Sequence, residues 1–387
     1  MKQTEHIVGI GGGGGGAVLA AGLHEAFPEA QITMIVPTHD YGGASSVLRA
    51  KYKDTFGGLG APGDLTKVQA DASPHEELRD LVDGERFGPE STAWDVSGRA
   101  RALLGALALR GTVDQARATR VLARTVRVAR DLGNLDGQTM RNMLLTAMWL
   151  DDEHQGDMGT AIDEFGQWLD SKVRVIPATD DTPHLVLKQQ GKEFARGEGE
   201  IDKLYIADPL AVDISVDLGP GTRPARLAPA AKMAIESASV VIVAPGSVIT
   251  STGGTLALEG VPEALAVQKD AGGKFVGVAN LCYEEKKEGV EEVSLEQLAL
   301  FFARLAGRDF DGLIYNTDID GLPKEAYPLR YTPGSFSIKT VRLIGESLVD
   351  AQIVRPKKHD KVTRSLVRHD MKVVARVLQK ELLPRAA

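Results

Sequence analysis

Four short stretches of small and polar residues hold the chemistry that this 387-residue chain offers. The first, Gly9-Ile10-Gly11-Gly12-Gly13-Gly14-Gly15-Gly16, lacks side chains, so its backbone N–H groups can approach a phosphate closely. It contains G-x-G-x-x-G but lacks the Lys-Ser/Thr of a Walker loop, which disfavours an ordinary P-loop NTPase. The second runs from Thr38 to Arg49. Here Asp40 is a candidate acceptor for a ribose or base, or a candidate metal and catalytic carboxylate. Gly42 and Gly43 allow a tight turn, and Ser45, Ser46 and Arg49 offer donors to phosphate. The third is Ala61-Pro62-Gly63-Asp64-Leu65, whose Asp64 reads either as a ligand contact or as a helix N-cap. The fourth, Val243 to Thr252, contributes Gly246, Ser247 and Thr250 to a second anion nest.

These stretches need a scaffold that brings them to one edge. His6 to Ile10 reads as a buried strand, Ala17 to Phe27 carries helical spacing, and Ile32 to Val36 is a second strand closed by Pro37. Strand, glycine turn, helix and strand make a right-handed βαβ unit, which builds parallel sheet. Further strands are expected at Val173–Ile176, His184–Lys188, Lys203–Ile206, Val240–Ala244, Phe275–Ala279 and Gly312–Tyr315. The fold class is therefore α/β, a doubly wound and mainly parallel Rossmann-like sheet with a helical insertion. Residues 1–72 and 135–350 form the expected core and residues 73–134 the insertion. Residues 351–387 form a basic C-terminal segment packed on that core. Gln189 to Glu200 reads as a hairpin or exposed loop.

Composition narrows the class. An apolar fraction of 43% and a charged fraction of 25% are ordinary for a globular protein, and a net charge of −8 argues against nucleic acid as the main partner. Cys282 is the one cysteine, so an internal disulfide or a Cys-rich zinc site is excluded, in keeping with a reducing compartment. No apolar run approaches the roughly 20 residues of a membrane helix, and MKQTEHIVGI has no apolar stretch of signal-peptide length. A cytoplasmic homodimer without membrane contact is expected. The histidines show no metal-ligand spacing. Within Gly137-Gln138-Thr139-Met140-Arg141-Asn142, Thr139 suits a helix cap and Asn142 a cleft contact.

The ordered set of motifs resembles the YvcK/CofD family, from Val8 to about Asn316 and on to Arg368-His369-Asp370. That family joins UDP-sugar-binding gluconeogenesis factors to the 2-phospho-L-lactate transferase of coenzyme F420 synthesis. Its glycine-rich first turn corresponds to Gly11–Gly16, and its Asp-Asp-Gly-Gly-Ser-Ser-Gly-Arg-Leu-Arg segment to Asp40–Arg49. Its Pro-Pro-Gly-Asp corresponds to Ala61–Asp64. Its Gly-His-Ser-x-Gly-Asn matches Gly137–Asn142, and its Gly-Pro-Gly-Ser-x-x-Thr-Ser matches Ala244–Ser251. This chain departs from the pattern at Tyr41, Ala44 and Gln138, and Asn280-Leu281-Cys282-Tyr283 lacks the usual continuation, which marks a divergent branch. The resemblance implies a nucleotide diphosphate or UDP-sugar ligand, with Mg²⁺ as a companion ion. It also implies contacts from Gly11, Gly12, Gly13, Gly14, Gly43, Ser45, Ser46, Arg49, Asp64, Asn142, Gly246, Ser247 and Thr250. A regulatory binding protein is the first functional expectation and a transferase with Asp40 as its metal-holding carboxylate the second. A nicotinamide-dependent dehydrogenase ranks below both.

Overall fold

The structure is a computed structural model that describes residues 5–39, 42–111, 113–201, 203–204, 206, 209–281, 294–318, 338, 340–350, 358–359 and 367–382. Strand β1 (His6–Ile10) enters the glycine run, which starts helix α1 (Gly13–Ala26) and returns through β2 (Gln31–Val36). Between β2 and β3 (Arg174–Pro177) the chain is helical: α2 (Gly43–Lys51), α3 (Pro62–Asp71), α4 (Glu76–Asp83), α5 (Ala93–Arg110), α6 (Gln115–Leu132), α7 (Met140–Trp149) and α8 (Met158–Trp168). An antiparallel subsheet follows, made of β4 (His184–Gln189), β5 (Lys192–Arg196) and β6 (Asp213–Asp217), with the short α9 (Glu198–Ile201) between the last two. The parallel pattern then resumes with α10 (Pro229–Ser237), β7 (Val240–Val243), α11 (Gly254–Leu256), α12 (Val261–Asp270), β8 (Lys274–Val278), α13 (Leu295–Ala306), β9 (Gly312–Asn316), β10 (Arg342–Glu346) and α14 (Met371–Val377).

The main sheet has seven strands in the order β10-β9-β8-β7-β1-β2-β3, and every pair in it is parallel. Its central strands are apolar on both faces because helices cover both. Ile7, Met34, Val240, Val276 and Ile314 join a core with α1, α3 to α8 and α14. Val8, Ile35, Val241, Phe275 and Leu313 join a second core with α10, α12, α13 and the subsheet. The period-two split of neighbouring residues between two cores is what a strand buried on both sides requires.

Two strand expectations are corrected. His184 to Lys188 forms a strand, but it pairs antiparallel with β5 and β6 instead of entering the parallel sheet. Its partner β5 follows a two-residue turn, Gln190-Gly191, with φ of 51° and 75°, the conformation that lets two adjacent strands twist together. Of Lys203–Ile206, the described residues 203, 204 and 206 are not strand. Lys203 and Leu204 instead donate their N–H groups to the carbonyls of Glu200 and Ile201, in turns that continue from α9. Strands β6 and β10 went unread, because Asp213, Asp217, Arg342 and Glu346 break the apolar run that marks a strand in a sequence.

The described helices of the expected insertion are joined to the rest by an unbroken core. Helix α6 packs on α5 and α7, with Val121, Leu122, Val128 and Ala129 inside. Arg117 forms a forked pair with Glu164 on α8, at 3.0 and 2.8 Å, and also bonds Asp151. At the other end of the chain α14 lies on α1. A Cβ at Gly22 would overlap Met371, so glycine sets the approach of those two helices.

Candidate functional site

The chain leaves β1 for β2 on one side and later crosses to β7 on the other, so β1 and β7 form the topological switch point. The crevice outside the carboxyl ends of such strands is where ligands bind in open α/β sheets. The first and fourth motifs leave these two adjacent strands and touch. A Cβ at Gly11 would come within 2.8 Å of Ala244 Cβ, and one at Gly15 would overlap the Pro245 carbonyl. The bare backbone of the first turn is therefore a packing requirement as well as an opening for ligand.

Gly11 and Gly13 have φ of 149° and 55°, a left-handed excursion that turns the amides ahead of α1. Helix α1 has Gly12 at its N-cap and no side-chain cap bond. Instead, Asp64 leans in from the first turn of α3. A Cβ at Gly12 would overlap its carboxylate, and one at Gly13 would lie 3.4 Å from Oδ1. The N-cap of α3 is Ala61, so the capping role considered for Asp64 is not the one it plays at its own helix. On the other side of the turn stands Arg368, whose guanidinium nitrogen would lie 3.7 Å from a Cβ at Gly14. In the sequence Arg368 reads as part of a basic segment packed on the core, outside the set of ligand contacts. The signal that could have placed it was the resemblance reaching Arg368-His369-Asp370; the structure shows His369 buried, with Nε2 2.9 Å from the Ala279 carbonyl just after β8.

The β7 turn is held differently. Gly246 donates its N–H to Asn280 Oδ1 at 2.8 Å and accepts from Asn280 Nδ2 at 2.8 Å. Ser247 Oγ accepts from Thr250 N at 3.3 Å and lies 2.7 Å from Thr250 Oγ1. Ser247 is half-buried and Thr250 buried, so Ser247 presents more of itself to the crevice. Beneath the turn lies His39, with Nε2 3.0 Å from the Thr250 carbonyl and no partner for Nδ1 among the described residues. A carbonyl only accepts, so Nε2 carries the proton. Burial drives the His39 pKa down to about 4, and it is a neutral buttress.

Helix α2 brings the second motif alongside. Asp40, the expected catalytic and metal-holding carboxylate, and Tyr41 lie outside the described residues. Ser45 is buried and its Oγ accepts from Gly63 N at 3.1 Å, so it ties the second motif to the third. Ser46 bonds its own turn at Gly43 O, 2.7 Å away. Arg49 donates to the carbonyls of Thr182 and Pro183 at 3.1 and 2.9 Å, which turns it toward the subsheet. A Cβ at Gly42 would lie 2.7 Å from Glu198 Oε1, so a carboxylate also stands at the start of α2. Thr139 caps α7 by accepting from Asn142 N, and Asn142 is buried beside Gly63 and Thr66.

Five of the expected contacts, Gly11 to Gly14 and Asp64, thus meet at one turn, with Gly246, Ser247 and Thr250 on the adjoining one. Ser45 and Asn142 stand behind Asp64. A cleft of about 510 Å³ lies instead along the flank of α1, between α3, α4 and α14, with carboxylates such as Asp71, Asp80, Asp83 and Asp370 mixed with Lys67, Arg79 and Lys372 in its walls. It is a groove between helices and shares no lining with either turn.

A doubly wound α/β protein with two small-residue turns at its switch point is the class this fold and site define. The sequence profile of the 2-phospho-L-lactate transferase CofD family matches residues 7–333, and the chain belongs to that family. It is similar to relatives named as gluconeogenesis factors. One from Deinococcus radiodurans is 26% identical over 328 residues, 84% of this chain and 57% of that one. One from Halalkalibacterium halodurans is 26% identical over 266 residues, 68% of this chain and 64% of that one. The chain thus spans well under the full length of these relatives. The crystal structure of a Bacillus halodurans protein of the UPF0052 family superposes with a TM-score of 0.69 at 19% identity, covering 97% of this chain and 99% of that one, a likeness of fold. No described helix is long and apolar enough to cross a membrane.

Proposed function

We propose that the β1/β7 crevice binds a nucleotide diphosphate, and specifically a UDP-sugar, in a regulatory protein of carbon metabolism or envelope-precursor supply. The observation that carries this reading is the contact of two small-residue turns on adjacent parallel strands, with Arg368 beside them. Backbone amides at the start of α1 supply donors to one phosphate, and Ser247 and the Gly246 turn supply them to the next. Arg368 adds a cation whose fork matches phosphate oxygens. Likeness to proteins named gluconeogenesis factors supports the regulatory role.

Asp64 bears on the companion ion. A carboxylate at the same helix start as a phosphate repels it unless a cation lies between them, and Mg²⁺ takes one or two carboxylates plus phosphate oxygens. Asp64 stands at that helix start, so with the ligand's own oxygens it would hold such an ion; Asp40, the metal-holding carboxylate expected from the sequence, lies outside the described residues. Bound there, the ion would neutralise phosphate charge.

The same carboxylate favours one second reading, a transferase that moves a phosphoryl-linked group from a nucleotide diphosphate donor, in line with the family's description. A thermal-shift panel of nucleotides and nucleotide-sugars, with and without Mg²⁺, tests the first reading. A specific ligand at 100 times its Kd should add about 2.7 kcal/mol. A flat panel overturns the binding proposal. Release of nucleoside monophosphate on long incubation with a donor and candidate acceptors moves the assignment to the transferase.

A further inference from the structure

Behind the crevice, α7 begins with three side chains almost removed from water: Gln138, Arg141 and Asn142 are 1%, 4% and 2% exposed. Arg141 stands where the motif quoted above has glycine. Its Nε donates to Asp83 Oδ1 at 2.5 Å, which neutralises the buried guanidinium. Its Nη1 reaches Gly63 O at 2.6 Å, Thr66 Oγ1 at 2.7 Å and Asn142 Oδ1 at 2.8 Å. Thr66 Oγ1 also lies 3.0 Å from Asn142 Oδ1.

A guanidinium only donates, so the atom of Asn142 that faces it must be the carboxamide oxygen. The NH₂ end is left on the other side, toward Gly63 and Ser45. A Cβ built at Gly63 would lie 3.8 Å from Nδ2 and 2.5 Å from Ser45 Oγ. Nδ2 donates to no described group and keeps contact with solvent on that side, although the residue as a whole is almost buried. An amide donor that opens beside the Pro62-Gly63-Asp64 turn is available to an acceptor on a ligand that displaces water there.

We infer that Arg141 is a positioning residue that locks the polarity of Asn142, so that the ligand group received there is a hydrogen-bond acceptor, a phosphate or carbonyl oxygen. The bond from the same Nη1 to the Gly63 carbonyl holds the turn that carries Asp64, so one buried cation sets both the donor and the carboxylate of this wall. The inference rests on the nucleotide reading of the crevice for its ligand but not for the lock itself.

The test uses the full chain, with UDP and UDP-glucose as probes in titration calorimetry. Asn142→Asp keeps an oxygen toward Arg141 and swaps the open donor for an acceptor, whereas Asn142→Ala removes both. The expected order of affinity is wild type, then Ala about tenfold weaker, then Asp weaker still, with the Asp variant melting no lower than wild type. An Asp variant that binds as well as or better than Ala, or that fails to fold, overturns the inference. If wild type binds neither probe, the nucleotide reading fails, and the lock is judged by melting temperatures of Arg141→Lys, Asn142→Ala and their double variant. Non-additive shifts support the lock and additive ones overturn it.

Discussion

The turn after β1 is bare backbone, and the turn after β7 is lined with hydroxyls and closed by an asparagine. Both expose amide groups at the same switch point, but they are built under opposite constraints. In the first, Cβ atoms are excluded by Ala244, Asp64 and the Pro245 carbonyl, so residue choice is dictated by space. In the second, Ser247, Thr250 and Asn280 satisfy the backbone and one another, so residue choice is dictated by hydrogen bonds. Two buried neutral histidines lie near them: His39 holds the Thr250 carbonyl, and His369 ties its own segment, which carries Arg368, to the Ala279 carbonyl after β8. A sterically saturated turn should fail by unfolding, and a hydrogen-bonded one by losing ligand.

The largest effect is expected from Gly15→Ala. Its methyl would overlap a backbone carbonyl, which cannot swing aside as a side-chain tip can. We expect a loss of about 3 kcal/mol or more, at the upper end of overpacking costs, read by chemical denaturation. An unchanged midpoint would mean the two turns do not touch.

Next comes pH. His39 and His369 have pKa values of about 4 in the fold against 6.5 for the ordinary group, because burial disfavours the charged form. The unfolded chain then binds more protons between these values, so the stabilisation is whole above pH 6.5 and falls as pH drops toward 4. Each histidine is expected to account for roughly 2–4 kcal/mol of that loss. His39→Asn and His369→Asn should each flatten the slope of stability against pH from 6.5 to 4. A slope unchanged in both would contradict neutral burial.

Ser247→Ala should separate the turns most cleanly. It removes one cap acceptor at the β7 turn, worth about 1 kcal/mol, while UDP affinity in calorimetry falls about tenfold. A loss of stability without loss of affinity would make this turn purely structural. Last comes Arg368→Ala, at a partly buried side chain. It should weaken UDP binding and shallow its salt dependence. Equal salt slopes in variant and wild type would remove Arg368 from the site.

Much of this architecture was legible in the residues. The apolar run His6–Ile10, the glycines after it and the helical spacing of Ala17–Phe27 admit one local reading, because strand and helix periodicities differ and glycine marks the junction. The helices from Ser73 to Asn134 show themselves through three- and four-residue apolar spacing in the same way. Strand β6 and strand β10 did not, since a strand at a sheet margin keeps polar residues and loses its apolar signature.

Sequence alone therefore determined the parallel sheet, its glycine turn and the small-residue stretches that can meet an anion, because these follow from local periodicity and from the absence of Cβ atoms. Only the tertiary structure decided which stretches share a site. It placed Asp64 and Arg368 on either side of one helix start, turned Arg49 toward the carbonyls of Thr182 and Pro183, and set Arg141 behind Asn142. Arg141 and Asn142 are neighbours in the chain, but the other partners are tens to hundreds of residues apart, and their meeting is fixed by strand order and helix packing, which no local pattern encodes.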